Sequence, residues 1–101
     1  MGVEIIVGLF VADEEIYKKY REKMYPILES HRGRFRYDFK VSEVLESEVD
    51  SPINRVFAIF FETEELMKAF YANEDYVQIR NEYFDAAVSA KTIISKHHTK
   101  P

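Results

Sequence analysis

The sequence contains no cysteine. Disulfides, thiolate-bound zinc, iron–sulfur clusters and a thiol nucleophile are therefore excluded, and the composition fits a reducing compartment. Basic charge is also in short supply: 14 Lys and Arg stand against 18 Asp and Glu, for a formal net charge of −4. A surface that holds phosphates needs clustered Lys and Arg, so no nucleic-acid partner is expected. With only three glycines there is no glycine-rich phosphate loop, and neither a Ser–His–Asp order nor a zinc signature can be read. We expect no metal and no cofactor. Long apolar runs are missing as well. The opening stretch MGVEIIVGLFV is short, lacks a basic region and carries Glu4, which makes it a poor signal peptide and too brief to span a membrane. Gly2 is not followed by the Ser or Thr of a myristoylation signal. A soluble cytoplasmic protein with no membrane partner is the expectation.

What is present is a chain of 101 residues, 47% hydrophobic, with eight Phe and seven Tyr. The length suits one domain, and so many rings can furnish a core or line a pocket. Val3–Val11 is rich in β-branched residues and reads as a strand. Asp13 is a good N-cap, and Ile16, Tyr20, Met24, Ile27 and His31 then recur at helical spacing. Pro26 should kink or divide that helix, and Gly33 should stop it. Arg34–Val41 alternates: Phe35, Tyr37, Phe39 and Val41 on one face, Arg34, Arg36, Asp38 and Lys40 on the other. Ser42–Glu48 would continue this strand past a bend, and Val49–Asn54 reads as a loop.

RVFAIFFE, Arg55–Glu62, is apolar at both parities and suits a central strand covered on both sides. Thr63 caps a second helix. Asn73 interrupts it and caps a further helical segment running to about Ala87. Val88–Ser95 is the last strand, so a single domain spans residues 1–96, with a frayed tail over 97–101. The order βαββαβ gives an α+β fold, a ferredoxin-like plait with an antiparallel sheet and two helices on one face. Strands one and three look apolar on both faces, yet the helices can cover only one. A second copy of the sheet is the expected cover, which makes the chain its own partner in a homodimer.

Several side chains are candidates for function. In YVQIRNEYF, projection at ~100° per residue puts Arg80 inside the apolar stripe of Tyr76, Ile79, Tyr83 and Phe84. A guanidinium cannot be deprotonated. Either it pairs with a carboxylate, for which Asp38, Glu43 and Glu46 are available, or it clamps a bound anion with Tyr76 as hydroxyl donor. Tyr37 is a third ligand-binding candidate. His31 is either a cation favoured at a helix C-terminus or a general base facing a pocket. His97 and His98 are adjacent, so their side chains diverge and chelation is awkward. The tyrosines at helical spacing suit a core better than a cofactor box. A rival class comes from RVFAIFFE: Arg55, Phe57 and Ala58 match the RNA-recognition motif, whereas Val56, Ile59, Phe60 and Glu62 depart from it.

The chain resembles the domain-of-unknown-function 1330 family over roughly residues 3–96. The resemblance rests on Tyr17 and Tyr20, on Pro26-Ile27-Leu28 with His31 and Gly33, and on Arg55-Val56-Phe57-Ala58-Ile59. It also rests on Tyr71, Asp75-Tyr76 and Arg80. The usual Gly-Gly before strand two is Arg32-Gly33 here. The resemblance implies a dimeric α/β barrel, in which two plaits stack sheet against sheet, and implies no established reaction. The wider superfamily includes cofactor-free monooxygenases, lactone isomerases and haem enzymes, so fold alone selects no chemistry.

The combined expectation is a homodimer that binds a small organic acid or carbonyl compound. As an enzyme it would carry out cofactor-free proton transfer or oxygenation, with Tyr76 and Arg80 stabilising an anion and His31 as base. The alternatives are a non-catalytic dimeric structural or binding protein and, more remotely, an RNA binder. A polar cavity beside Arg80 favours the first; a direct Arg–carboxylate pair with no void favours the second.

Overall fold

The structure is a computed structural model describing residues 1–101. Its elements run β1 (Gly2–Val11), α1 (Glu14–Ser30), β2 (Gly33–Lys40), β3 (Arg55–Phe61), α2 (Glu64–Ala72) and α3 (Glu74–Ile79). A π-helical turn (Arg80–Phe84), α4 (Asp85–Ala87) and β4 (Val88–Thr99) complete the chain. The sheet order is β2-β3-β1-β4, with every neighbouring pair antiparallel. This is the expected plait. The caps read from sequence all form: Asp13 accepts from the Ile16 amide at 3.0 Å, Thr63 from Leu66 at 3.1 Å and Asn73 from Tyr76 at 3.0 Å. No helix is long and apolar enough to cross a membrane.

Four local expectations change. Pro26 does not divide α1, which runs unbroken to Ser30. Pro26 and Glu22 are exposed, so water can take the Glu22 carbonyl that proline leaves without its helical donor. Gly33 is not the helix stop. The left-handed residue is Arg32, at φ 56°, and Gly33 is needed for space: a Cβ there would lie 2.4 Å from Leu28 Cδ1 and 2.9 Å from Phe61 Cε1. Ser42–Glu48 does not extend β2 but belongs to an irregular loop between β2 and β3. Asn54 anchors that loop to β1, accepting from the Val11 amide at 2.8 Å and donating to the Val11 carbonyl at 3.0 Å. Finally, the tail is not frayed through Thr99. β4 continues past Ser95, and His97, His98 and Thr99 pair with Glu4, Val3 and Gly2.

Arg32 carries a testable cost. A side chain in the left-handed region is disfavoured by about 1 kcal/mol, a penalty glycine avoids. The Arg32–Glu62 ion pair, 3.4 Å long and exposed, offsets little of it. Arg32→Gly should raise stability by roughly 0.5–1 kcal/mol, or about 3–6 °C in Tm. A lowered Tm in thermal denaturation would contradict this.

The helix-side core takes Val3, Ile5, Val7, Leu9 and Val11 from β1, Phe57, Ile59 and Phe61 from β3, and Tyr17, Tyr20, Met24, Leu28, Phe70 and Tyr76 from the helices. Two strands break their alternation. In β2, Phe35 pairs with Ile59 but Tyr37, not Arg36, pairs with Ala58. Arg36 is the extra residue of a bulge. Phe35 therefore faces the helices, while Tyr37 and Phe39 turn to the open face of the sheet, 60% and 55% exposed. On that open face Phe60 is nonetheless fully buried. The Arg34 and Arg36 guanidinium carbons stand 4.7 and 4.9 Å from its ring centroid. A Cβ on Gly2 would be only 2.2 Å from its ring, so glycine makes room for the phenyl group.

Candidate functional site

A cavity of ≈ 280 Å³ lies between the sheet and the helices. β1 and β3 contribute Ile5, Val7, Phe57 and Ile59; the helices contribute an aromatic wall of Tyr17, Tyr20, Phe70, Tyr71, Tyr76 and Phe84. Its charged lining residues are Arg21, Arg80, Lys91 and Lys96; it has no Asp, Glu or His. That selection is notable in a chain whose acids outnumber its bases 18 to 14.

Arg80 closes α3 and opens the π-helical turn, in which the Asp85 amide donates to the Arg80 carbonyl five residues back. A π turn inserts one residue into the helical repeat, and such turns recur at functional sites. The half-buried Arg80 side chain is delivered to the cavity, its guanidinium carbon 6.0 Å from the Tyr76 ring centroid. The pairing with Asp38, Glu43 or Glu46 does not form. Asp38 is taken by Arg21 and Arg55. Glu43 and Glu46 are exposed in the loop after β2. No carboxylate of the chain neutralises Arg80, and a void adjoins it.

Tyr20 and Tyr76 share a buried hydroxyl–hydroxyl hydrogen bond of 2.9 Å. One phenol donates to the other, so one proton of the pair remains free to donate elsewhere. Burial pushes the Tyr76 phenol up and outweighs the opposing pull of the Tyr20 hydrogen bond and the Arg80 charge. Burial likewise raises Tyr20, with Tyr76 adding to it, and Tyr71. Tyr17 is raised by burial despite the charge and hydrogen bond of Arg21. These phenols are neutral donors at physiological pH, not bases.

At one side of the cavity Arg21 stacks 3.9 Å from the Phe35 ring centroid. It donates to Tyr17 Oη at 2.8 Å and to both Asp38 oxygens at 2.8 and 3.2 Å. Arg55 grips the same carboxylate at 3.0 and 3.3 Å. The β2 bulge makes this possible, since it places Asp38 opposite Phe57 on the helix side. Burial alone would raise the Asp38 carboxyl; the hydrogen bonds and charges of Arg55 and Arg21 win and hold it below its ordinary 3.8. A depressed carboxyl adds stability above its unfolded value and loses it as pH falls through the folded one. Asp38→Asn should therefore cost about 1–2 kcal/mol at neutral pH, a buried-pair loss reduced because the carboxylate is one-third exposed. It should also flatten the stability profile below pH ~4. Urea melts from pH 2 to 7 would show it, and an unchanged acid limb would refute it.

Of the residues singled out from sequence, Arg80 and Tyr76 meet at the cavity. Tyr37 does not: it stacks on Phe39, centroids 5.9 Å apart, on the open sheet face. His31 does not either. It ends α1, its Nδ1 2.8 Å from the Ile27 carbonyl and its ring edge-on to Phe70, outside the cavity lining. His97 and His98 diverge as adjacent strand residues must. His97 Nε2 lies 3.1 Å from Glu4 and its Nδ1 2.7 Å from Ser95 Oγ, while His98 approaches Glu64 at 3.7 Å. Arg36 reaches across Phe60 to Glu4 at 3.3 Å, so this open-face line ties β2, β1 and β4 together. Phe57 and Ile59, at the stacking positions of the RNA motif, belong to the helix-side core. Sequence reasoning missed Lys91 and Lys96. They are five residues apart, which in a regular strand puts them on opposite faces.

Residues 5–97 match a family model described as a domain of unknown function, DUF1330. Among solved structures, a protein of unknown function from Rhodopseudomonas palustris superposes with TM-score 0.83 at 15% identity, covering 99% of this chain and 84% of that one. A dabb family protein with a ferredoxin-like fold from Mesorhizobium loti gives 0.66 at 13% identity, covering 99% and 98%. A dimeric protein of unknown function and ferredoxin-like fold from Bacteroides fragilis gives 0.63 at 10%, covering 97% and 96%. Identities this low establish the fold alone. Curated proteins give no match.

Proposed function

Because the chain belongs to the domain-of-unknown-function 1330 family, whose description names no reaction, we propose a function from the cavity itself: binding of a small organic acid, its anionic group on Arg80 and the free phenol proton of the Tyr20–Tyr76 pair. The observation that carries this reading is a half-buried guanidinium at a cavity with no carboxylate partner in the chain. Charge-assisted donors of this kind orient a planar carboxylate, and the aromatic wall suits an apolar body. The volume is just below the ~300–1,000 Å³ of common ligand pockets, which favours a small ligand. A lining without carboxylate or imidazole supports binding or anion stabilisation over proton abstraction by a protein base. His31 is not part of the proposed site. The cysteine-free composition supports a cytoplasmic setting.

A second copy is the proposed partner. The open face presents Tyr37, Phe39 and Ile94 at 60%, 55% and 52% exposure, beside Ile6, Gly8, Val56 and Ala58. Self-complementary stacking of two such sheets removes this surface from water, and the Bacteroides fragilis neighbour of the same fold is dimeric.

The ligand reading is tested by thermal shift with benzoate and short-chain carboxylates. Wild type should be stabilised, by ~2.7 kcal/mol at a hundredfold excess over Kd. Arg80→Met keeps the stem's bulk and should fold, yet lose the response, because a charge-assisted pair worth ~1.5–3 kcal/mol is gone. Absence of any response in folded wild-type protein would sink the proposal.

A further inference from the structure

Resting on that reading, we propose that the cavity takes a dianionic ligand: a small organic acid with a second acidic group, the first held by Arg80 and Tyr76 and the second by Lys91 and Lys96 of β4. The argument begins with strand register. Lys91 pairs with Leu9, Ile93 with Val7 and Lys96 with Ile5, and the register shifts between Ile93 and Ser95. Leu9, Val7 and Ile5 all face the helices. Ile94 is the inserted residue, and it turns to the open face, its Cδ1 3.4 Å from where a Cβ on Gly8 would stand. The bulge thus gathers Lys91, Ile93 and Lys96 on the cavity side, and all three line it.

The charge balance points the same way. Arg21 is the one cationic lining residue with a carboxylate in hand, that of Asp38. Arg80, Lys91 and Lys96 have no salt-bridge partner in the chain, although it is acidic overall. Three like charges around one small cavity raise the local potential and attract anions. Arg80 lies on the helical layer and the lysines on the sheet's β4 edge, and Tyr76, Phe84 and Ile93 line the same cavity. A monoacid would satisfy one pole only. A ring or short chain with an acidic group at each end would satisfy both and lay its apolar body on the aromatic wall.

Calorimetric titration with benzoate, terephthalate, isophthalate and monomethyl terephthalate tests this. At least one diacid should bind wild type about tenfold or more tightly than benzoate, a gain of ~1.4 kcal/mol. The monomethyl ester should bind like benzoate, a comparison that needs no variant. In a Lys91→Met/Lys96→Met protein both acids should weaken with the lost positive charge, but the diacid more, so that its roughly tenfold advantage over benzoate disappears. Diacids no tighter than benzoate, or a preference that survives in the lysine double variant, would overturn the dianion proposal and leave the monoacid site standing. If none of the four acids binds, both proposals fall.

Discussion

Raising the pH above 10 should unfold the protein within about one to three pH units, with proton release from four tyrosines. Tyr17, Tyr20 and Tyr76 are 1%, 5% and 3% exposed, and Tyr71 is half-buried against Phe61, Phe70 and Tyr76. Burial raises all four above the ordinary phenol value of 10.0. For a raised group the stability is fully present below the unfolded value and is lost as pH climbs from there through the folded one. The unfolded chain gives up its protons first and is favoured by ~1.4 kcal/mol per pH unit per phenol. Four phenols together give a slope of at most ~5 kcal/mol per unit, against a total of 5–15 kcal/mol for a typical domain. The tyrosinate absorbance of four residues should arrive together with the loss of the helical circular-dichroism signal. Tyr20→Phe removes one such group and should lower the slope by about a quarter. If tyrosinate absorbance saturates while the helical signal is intact, the phenols are not held as described.

The second large effect concerns self-association. Wild-type protein at low micromolar concentration should scatter light as a dimer. Tyr37→Asp/Phe39→Asp should scatter as a monomer, with a dimer Kd raised by about a thousandfold or more, since buried aromatic anchors at an interface contribute ~2 kcal/mol or more each. Both side chains are more than half exposed in the single chain, so the variant should keep its fold. Wild-type protein that stays monomeric would remove the open face as an interface. A variant that stays dimeric would move the interface elsewhere.

The local grammar of this fold was legible in the residues. Asp13, Thr63 and Asn73 are short polar side chains directly before helical periodicity, and each caps a helix because its oxygen reaches amides that have no helical acceptor. In RVFAIFFE, Phe57, Ile59 and Phe61 lie under the helices and Phe60 lies under Arg34 and Arg36 on the other face, as β3 runs between β2 and β1. Arg80 stood out because a permanent charge in an apolar stripe needs an explanation, and it does reach the cavity with Tyr76.

What sequence alone determined here is whatever depends on neighbours within about one helical turn or one strand: the caps, the order βαββαβ and the place of Arg80 in an apolar helical stripe. Tertiary structure decided everything that depends on which strand residue is left unpaired. One extra residue at Arg36 sent Tyr37 and Phe39 to the open face and brought Asp38 to Arg21 and Arg55. Another at Ile94 set Lys91 and Lys96 on the same side. A strand's side-chain period is two, so a single bulge inverts every face assignment beyond it. Its place is set by the pairing partner, which lies dozens of residues away in the chain. The same holds for the competition over Asp38. From sequence it was a candidate partner of Arg80, and only the packed structure, by bringing Arg21 and Arg55 within 3 Å, left Arg80 facing the cavity without a carboxylate.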